Sequence, residues 1–494
     1  MKKGVKKLLL TVLSILISFA AVSCTASVPT ADRNSPTAIL IWHYYNGVQK
    51  QLFDQLVSRF NETVGEEKNI VAEAVNQGSI SELAQKTLDA LSHKVGAQEA
   101  PDVFAAYSDT VYQAFMQNMV ADIGVYLTDE EKAEYQECYL NEGDLNNDGS
   151  LYIFPIAKAT EVLILNRTDW QRYVTATGAL ESDLSTWEGI VRIAEAYYRW
   201  TDSLTEAPED GKAFFGRDAI ANYLLAGCAQ LGKELFTADG SNIALHADMS
   251  IMRRLWNNYY IPYINGYFAS FGRFRSDDVK TGDLIAFVGS TSSAAFFPAE
   301  VTLADGSTYP IEAQVYPVPN FEGTKPYAVQ QGAGMAVTKS NFQKEEAAVT
   351  FLKWFTGREQ NEVFCGASGY LPVKKETSEY MAQENTGADS KSPVIRSVLQ
   401  AGHSMTQTYT LYSGKPFLNS SSVRAILETS LQEKAAKDRA YVLARMKEGL
   451  TREEAVADFN TSINFYQWYS SLVRQLELAA GLRPKESNPR FTVE

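Results

Sequence analysis

The sequence predicts an α/β fold in which helices cover sheets of parallel strands. Short apolar runs alternate with amphipathic helical patterns, which is the order that parallel sheets require. Hydrophobic residues make up 45% of the chain and charged residues 21%, a balance typical of folded globular proteins. With 494 residues, the chain is long enough for two or three domains, each with a sizeable core.

The first elements form a predicted βαβαβ unit. Residues 37–42 (TAILIW), 70–75 (IVAEAV) and 101–107 (PDVFAAY) are predicted strands. Between the first two, residues 51–62 place their apolar side chains on one helical face. The helix predicted over residues 79–91 opens with Ser79 and Glu82, which have the spacing of a capping box.

The same alternation recurs later in the chain. Residues 161–166 (EVLILN) are a predicted strand, and the helix after it opens with Ser185 and Glu188 as a second capping box. Residues 282–297 predict a strand entering a Gly/Ser/Thr loop, and residues 333–357 a strand and then a helix. From about residue 421 to about residue 481 the chain is predicted to be helical, its last part opening with a capping box of Thr451 and Glu454. Residues 384–392 and the tail from Arg483 are predicted loops.

The amino terminus has the pattern of an export signal. Four lysines within residues 2–7 precede an apolar run, Leu8 to Ala21, that is too short for a membrane span. Small residues then lead to Cys24, as in the lipobox of bacterial lipoproteins. We therefore expect residues 1–23 to be a lipoprotein signal peptide, Cys24 to carry acyl chains, and residues 24–36 to be a tether on the outer side of the membrane. The alternative is an ordinary secretion signal in which Cys24 is incidental.

Charge and composition exclude several classes of function. The formal net charge is −14 and no block of Lys and Arg follows the signal, so a nucleic-acid partner is not expected. After Cys24 three cysteines remain, which implies no disulfide framework, although one pair could form. The four histidines show no metal-ligand spacing. No metal and no cofactor are predicted.

Polar and aromatic residues follow the predicted strands at their carboxyl ends, where open parallel sheets bind ligands. They are Trp42 to Asn46 after the first strand; Gln77, Gly78 and Ser79 after the second; Tyr107 and Asp109 after the third; and Gly289, Ser290 and Thr291 after a later one. Aromatic rings beside amide and carboxyl groups suit a polar ligand with flat, partly apolar faces. The pattern therefore predicts a shared cleft.

Other motifs carry less weight. Residues 144–149 (DLNNDG) match the start of a calcium loop, but Pro155 stands where its last carboxylate should be, so a turn is favoured. The run CGASG around Ser368 lacks the spacing of a nucleophile elbow. No pair of catalytic residues is predicted.

An ordered set of longer segments resembles one protein family. The segments are IWHYYNGVQKQLFDQLVSRFNE, NQGSISEL, PDVFAAYSDT, YIFPIAKATEVLILNRTDW, IAFVGSTSSAAFFP, GAGMAVTKSN and AAVTFLKWFTGREQNEVFCGASGYLPV. In this order they resemble the carbohydrate-type extracellular solute-binding proteins of bacterial ABC importers, the maltose-binding-protein-like superfamily. The resemblance spans residues 41–373 with gaps.

The resemblance implies a two-lobed periplasmic-binding-protein-like fold (type II), with a hinge between the lobes and a helical C-terminal part. Residues 37–157 and 328–369 would form the N-terminal lobe, and residues 158–327 and 370–494 the C-terminal lobe. The chain would cross between them near residues 153–160, 324–332 and 369–373. The lobes would close on the ligand, as hinged binding proteins do.

The resemblance also implies which residues line the cleft. Tyr44, Tyr45 and Tyr107 would stack on the ligand, and Trp42 would either join them or belong to the core. Asn46, Gln77, Asp109, Glu161 and Gln331 would form hydrogen bonds, with Ser79, Ser290 and Thr291 nearby, and Gly78, Gly289 and Gly332 would let the backbone approach closely. Three of these assignments have rivals: Ser79 is first a helix cap, Glu161 could be a hinge ion-pair partner, and one of Tyr44 and Tyr45 should point away from the cleft. Lys158 is expected to bridge the hinge.

The implied function is capture of a sugar, oligosaccharide or polyol for a membrane permease, by a monomer that is not an enzyme. A phosphorylated polyol is an alternative ligand, because a helix N-terminus favours anions. A secreted carbohydrate-active hydrolase, or a binding protein that serves a sensor, is an alternative function.

Overall fold

The computed structural model describes residues 35–239, 242–383 and 392–483. The predicted signal peptide, Cys24 and most of the tether lie outside the described residues, as do nearly all of the predicted loop 384–392 and the tail beyond Arg483. No helix in the described ranges is long and apolar enough to cross a bilayer.

The strands are numbered here along the described chain. They are β1 (Thr37–His43), β2 (Ile70–Asn76), β3 (Val103–Ala106), β4 (Glu161–Asn166), β5 (Phe215–Arg217), β6 (Phe236–Asp239), β7 (Asn242–Leu245), β8 (Ala286–Ser290), β9 (Glu300–Thr302), β10 (Thr308–Pro310), β11 (Ala313–Pro317), β12 (Tyr327–Val329), β13 (Gly334–Val337) and β14 (Thr410–Tyr412).

The α-helices are numbered in the same way. They are α1 (Gly47–Phe60), α2 (Glu66–Lys68), α3 (Ile80–Leu91), α4 (Ser108–Met116), α5 (Asp129–Glu134), α6 (Glu137–Asn141), α7 (Arg167–Thr177), α8 (Trp187–Asp202), α9 (Ile220–Gln230), α10 (Met249–Ile264), α11 (Arg275–Lys280), α12 (Phe342–Phe355), α13 (Arg358–Ser368), α14 (Lys375–Ala382), α15 (Pro393–Thr408), α16 (Ser420–Lys447), α17 (Arg452–Ala457) and α18 (Ser462–Ala479). A π-helical turn (Asn61–Gly65) joins α1 to α2, and 3-10 helices span Ile123–Tyr126, Glu181–Ser185 and Thr291–Phe296.

The first sheet has the strand order β13-β3-β1-β2. Strands β1, β2 and β3 are parallel, which confirms the predicted βαβαβ unit. Strand β13 adds an antiparallel edge beside β3. Helices α1, α12 and α13 cover one face through an aromatic cluster in which Phe53 contacts Phe351, Phe355 and Phe364. Burying each such ring contributes about 1.5–3 kcal/mol.

The second sheet has the order β11-β4-β8-β5 and departs from a purely parallel pattern. Strand β4 runs antiparallel to both of its neighbours, and β5 is parallel to β8. As a result, Glu161 at the start of β4 pairs with Ser290 at the end of β8. The two residues share an edge although they lie at opposite ends of their strands.

The helical C-terminal part matches its prediction, with α16, α17 and α18 between residues 420 and 479. The capping boxes of Ser79 with Glu82 and of Thr451 with Glu454 are both present. The prediction for α8 was wrong by one residue. Thr186 is its N-cap and accepts from the Gly189 N–H, because Ser185 is still part of a 3-10 turn and the Glu188 carboxylate binds Arg254 instead.

Candidate functional site

A cavity of about 150 Å³ opens between the first sheet, the predicted crossing segment at residues 324–332 and the C-terminal helices. Tyr107, Ser108 and Asp109 reach it from the end of β3 and the start of α4. The remaining lining residues come from after α6 (Glu142), α9 and β6 (Asn222, Leu225, Phe236), the crossing segment (Val329, Gln330, Gln331), the loop after β14 (Tyr412 to Phe417) and α16 (Ser420, Val423, Arg424, Leu427).

Aromatic rings line several sides of this cavity. Tyr107 is 39% exposed and lines the cavity. Phe236 and Phe417 pack together with their ring centroids 5.3 Å apart. Tyr412 is a third aromatic residue that lines the cavity. Burial raises the pKa of the Tyr107 phenol, so its hydroxyl stays protonated and can donate at neutral pH. These rings offer flat surfaces to a ligand.

Acceptor groups line the cavity as well. The Asp109 carboxylate accepts from the Thr110 N–H at 2.8 Å, and burial raises its pKa. Gln330 donates through Nε2 to Glu142 Oε2 at 2.6 Å, which leaves its Oε1 directed elsewhere. The Oε1 atoms of Gln330 and Gln331 are buried without a hydrogen-bond partner among the described residues. An unpaired buried acceptor costs about 1–3 kcal/mol, so a donor brought to these atoms would be favoured.

Two cations also line the cavity. Arg424, on the first turns of α16, donates to Asn222 Oδ1 at 2.5 Å. Lys415 donates to Asn147 Oδ1 at the rim. Within the described ranges neither side chain lies within 4.0 Å of a carboxylate, so their remaining N–H groups can serve an acceptor on a ligand.

The crossing segments are joined beside the cavity. The Lys158 ammonium, only 1% exposed, donates to Glu142 Oε2 at 2.5 Å and to the Gly332 carbonyl at 2.6 Å. The main chains of Lys158 and Leu371 exchange two hydrogen bonds, as do those of Ala159 and Gln331. The Lys158 side chain thus joins Glu142 to Gly332, and its role as a bridge across the hinge stays a prediction.

Glu161 lies next to this junction and is fully paired. Its carboxylate accepts from Arg217 at 2.6 Å and from Asn222 Nδ2 at 2.9 Å, and it is 4% exposed. The Arg217 guanidinium in turn lies over the rings of Trp187 and Tyr223. Glu161 thus acts on the cavity through Asn222, which holds Arg424.

The residues after β1 mostly enter the core. Trp42 is 2% exposed and Tyr45 1% exposed, the latter packed against Phe53 and Phe364. Tyr44 is half-buried and its phenol contacts that of Tyr370 at 3.1 Å. Asn46 is exposed at the start of α1. None of these four residues lines the cavity described above.

Gln77, Gly78 and Ser79 form the entrance to α3 rather than a wall of this cavity. Gln77 is 4% exposed and donates to Gln98. Gly78 has φ +99°, and a Cβ there would lie 2.4 Å from Glu82 Oε2, the atom that closes the capping box. The positive φ favours glycine at this position, and a larger residue would also displace the Glu82 carboxylate.

The loop after β8 and the second crossing use their small residues for packing. A Cβ at Gly289 would lie 3.0 Å from the Phe287 ring, and Thr291 is fully buried with its N–H on the Thr160 carbonyl. Ser290 contacts Ser292. Gly332 has φ +90°, and a Cβ at this position would lie 3.1 Å from the Ala157 carbonyl oxygen. Of the predicted ligand residues, the structure thus brings Tyr107, Asp109 and Gln331 to the cavity.

The sequence profile of the bacterial extracellular solute-binding proteins matches residues 55–390. The chain belongs to this family. Among curated proteins no sequence matches that of this solute-binding protein.

Solved structures of low sequence identity share the two-lobed fold of this solute-binding protein. UgpB from Mycobacterium tuberculosis, in complex with glycerophosphocholine, superposes with a TM-score of 0.64 at 16% identity, covering 90% of this chain and 99% of that chain. The cyclic alpha-maltosyl-1,6-maltose binding protein from Arthrobacter globiformis gives 0.62 at 17% identity, with 90% and 99% covered. The Thermus thermophilus maltotriose binding protein bound with maltotriose gives 0.59 at 15%, with 89% and 99% covered.

Several lining residues of this solute-binding protein are absent from the sequence-based prediction. They are chiefly Glu142, Asn222, Arg424 and the loop from Tyr412 to Phe417. These residues follow no strand of the first sheet, so an argument from strand ends does not reach them. The one local signal is the mixture of aromatic, small and cationic residues in YSGKPF, just before a long helix.

Proposed function

We propose that this solute-binding protein captures a carbohydrate or similar polyhydroxylated solute between its lobes and delivers it to the membrane permease of an ABC importer. In this proposal the lobes comprise residues 37–157 with 328–369, and 158–327 with 370–494. The protein works as a monomer, anchored through lipidated Cys24 on the outer side of the membrane. The observation that carries the proposal is one cavity lined by aromatic rings, by acceptors and by donors.

The chemistry of the cavity fits a sugar. The C–H faces of a sugar ring pack on aromatic rings such as Tyr107 and Phe417. Its hydroxyls can donate to the Asp109 carboxylate and accept from Arg424, and the side chains of Gln330 and Gln331 line the same cavity. The neighbours from Arthrobacter globiformis and Thermus thermophilus are named for oligosaccharides that they bind, which agrees with this ligand class.

A phosphodiester of a polyol is the second candidate ligand. Arg424 and Lys415 both line the cavity and neither is paired with a carboxylate in the described part of the chain. Guanidinium and ammonium groups bind phosphate oxygens strongly. The structure of UgpB with glycerophosphocholine shows a ligand of this kind in a protein of the same fold.

We further propose that binding occurs without chemical change. A glycoside hydrolase needs two carboxyl groups that are free to act on one bond. The cavity holds Asp109 and Glu142, but Glu142 Oε2 is engaged by both Lys158 and Gln330. That arrangement suits a fixed acceptor better than a proton donor.

A thermal-shift screen tests this proposal. Maltose, maltotriose, glycerophosphocholine and a mixed panel of mono- and oligosaccharides are added to the purified protein, since a compound that binds only the folded state raises Tm. We expect at least one sugar or polyol phosphodiester to raise Tm in a saturable way, and chromatography to recover that compound intact. Release of a cleaved product would favour the hydrolase, and a flat response across the panel would contradict the proposed ligand class.

A further inference from the structure

We propose that Glu142 is a ligand-contacting residue and, through its second oxygen, the group that fixes the hinge. The inference rests on the proposed function, because it concerns the same cavity. The ligand group that Glu142 contacts would be a donor, either a hydroxyl or an ammonium. The contact would lie where the crossing segments meet.

One carboxylate oxygen of Glu142 belongs to the hinge. Oε2 accepts from Lys158 Nζ at 2.5 Å and from Gln330 Nε2 at 2.6 Å. The Lys158 side chain is 1% exposed, and Glu142 supplies its carboxylate partner. A buried ammonium without such a partner is strongly unfavourable, so Glu142 holds Lys158 in place.

The other oxygen of Glu142 faces the ligand. The side chain is 10% exposed and lines the cavity. No hydrogen bond from the described residues reaches Oε1, and Oε1 is not among the buried atoms that lack partners. Oε1 is therefore the oxygen that the cavity reaches. A carboxylate oxygen accepts only, so the matching ligand atom must be a donor.

The position of Lys158 links the two roles. Its main chain pairs with Leu371 of one crossing segment, and its ammonium donates to the carbonyl of Gly332 in another. A ligand that donates to Oε1 thus binds the carboxylate whose other oxygen holds this junction. The contact between ligand and hinge passes through a single side chain.

Three variants separate a ligand contact from a merely structural role. In Glu142→Gln the amide oxygen can replace Oε2 toward Lys158, while the NH₂ group replaces Oε1 and changes an acceptor into a donor. Lys158→Met removes the buried ammonium but leaves the carboxylate at the cavity. The double variant K158M/E142Q lacks both charges. Lys374→Met, which breaks a more exposed ion pair with Glu134, is the control.

The first readout needs no ligand. We expect Tm to fall in Glu142→Gln, because Lys158 keeps its charge without a carboxylate, and to recover in K158M/E142Q. Lys374→Met should match the wild type. Equal Tm values for Glu142→Gln and K158M/E142Q would overturn the hinge role.

The second readout is calorimetric titration with maltotriose and with glycerophosphocholine. If Oε1 contacts the ligand, K158M/E142Q binds at least about tenfold more weakly than Lys158→Met, although both lack the hinge pair. Equal affinities of these two variants would overturn the ligand contact. If neither probe binds the wild type, the proposed ligand class fails, and the Tm comparison still decides the hinge role.

Discussion

His43 shows how one residue of β1 responds to its surroundings. It is fully buried, its Nδ1 accepts the Tyr45 N–H at 3.2 Å, and it packs against Phe53. Burial lowers its pKa to about 4, although the Asp54 charge opposes the shift. The neutral ring is therefore part of the folded state, and the histidine that ends the first strand belongs to the core.

This shift predicts a loss of stability in acid. A base whose pKa is depressed by folding contributes stability above its unfolded pKa of 6.5, and that contribution is lost as pH falls toward 4. The wild type should lose about 2 kcal/mol more than His43→Asn between about pH 7.5 and about pH 4.5. Asparagine keeps an acceptor near the position of Nδ1 but does not titrate. Urea unfolding of both proteins at the two pH values checks this, and parallel losses would contradict it.

At the scale of elements, Ser79 tests whether the entrance to α3 is a cap or a ligand site. Its Oγ accepts from the Glu82 N–H, and the Glu82 carboxylate accepts from the Ser79 N–H. We predict that Ser79→Ala lowers the free energy of unfolding by about 1 kcal/mol. Ligand affinity should stay at the wild-type value, because the residue does not line the cavity. A loss of affinity in titration at unchanged stability would instead place the ligand at α3.

Gly332 tests the crossing segments. Its φ of +90° disfavours any side chain, and a Cβ would lie only 3.1 Å from backbone atoms of Ala157 and Lys158. We expect Gly332→Ala to destabilise the fold by about 1–3 kcal/mol. Gly323→Ala is the matched control, since that glycine also has positive φ (+76°) but nothing within 4 Å of its Cβ position. Similar losses in both variants, measured by denaturant unfolding, would show that only the backbone angle matters.

Periodicity and cap chemistry predicted the strands and helices of the first sheet and the C-terminal helices, but not all of the elements and not all of the site. Strands β1 to β3 and the caps at Ser79 and Thr451 depend on residues that are close together in the sequence, so the sequence alone predicts them. The direction of β4 depends on its partners β8 and β11, which are distant in sequence. Strand ends therefore indicate Tyr107 and Asp109, whereas Arg424 reaches the cavity through the packing of α16 on α9.

At the scale of the whole molecule, the crossing segments predict a hinge motion on ligand binding. At the proposed junction of the lobes the main chain of Lys158 pairs with that of Leu371, and the main chain of Ala159 pairs with that of Gln331. Hinged binding proteins close about crossing segments of this kind. We expect small-angle X-ray scattering to show a smaller radius of gyration, or a narrower distance distribution, when a ligand from the screen is added. Bovine serum albumin with the same compound controls for solvent contrast. An unchanged profile at saturation would mean that this solute-binding protein binds without closing.

The most direct test of the central claim is calorimetric titration of the wild type, Tyr107→Ala and Phe342→Ala with the compound that stabilises the protein most. Tyr107 lines the cavity, whereas Phe342 is 66% exposed and does not line it. The residue after Phe342, Gln343, donates a hydrogen bond to Thr37, the first residue of β1. We predict that Tyr107→Ala weakens binding by about tenfold or more and that Phe342→Ala leaves it unchanged. Wild-type affinity in Tyr107→Ala would contradict the assignment of this cavity as the ligand site.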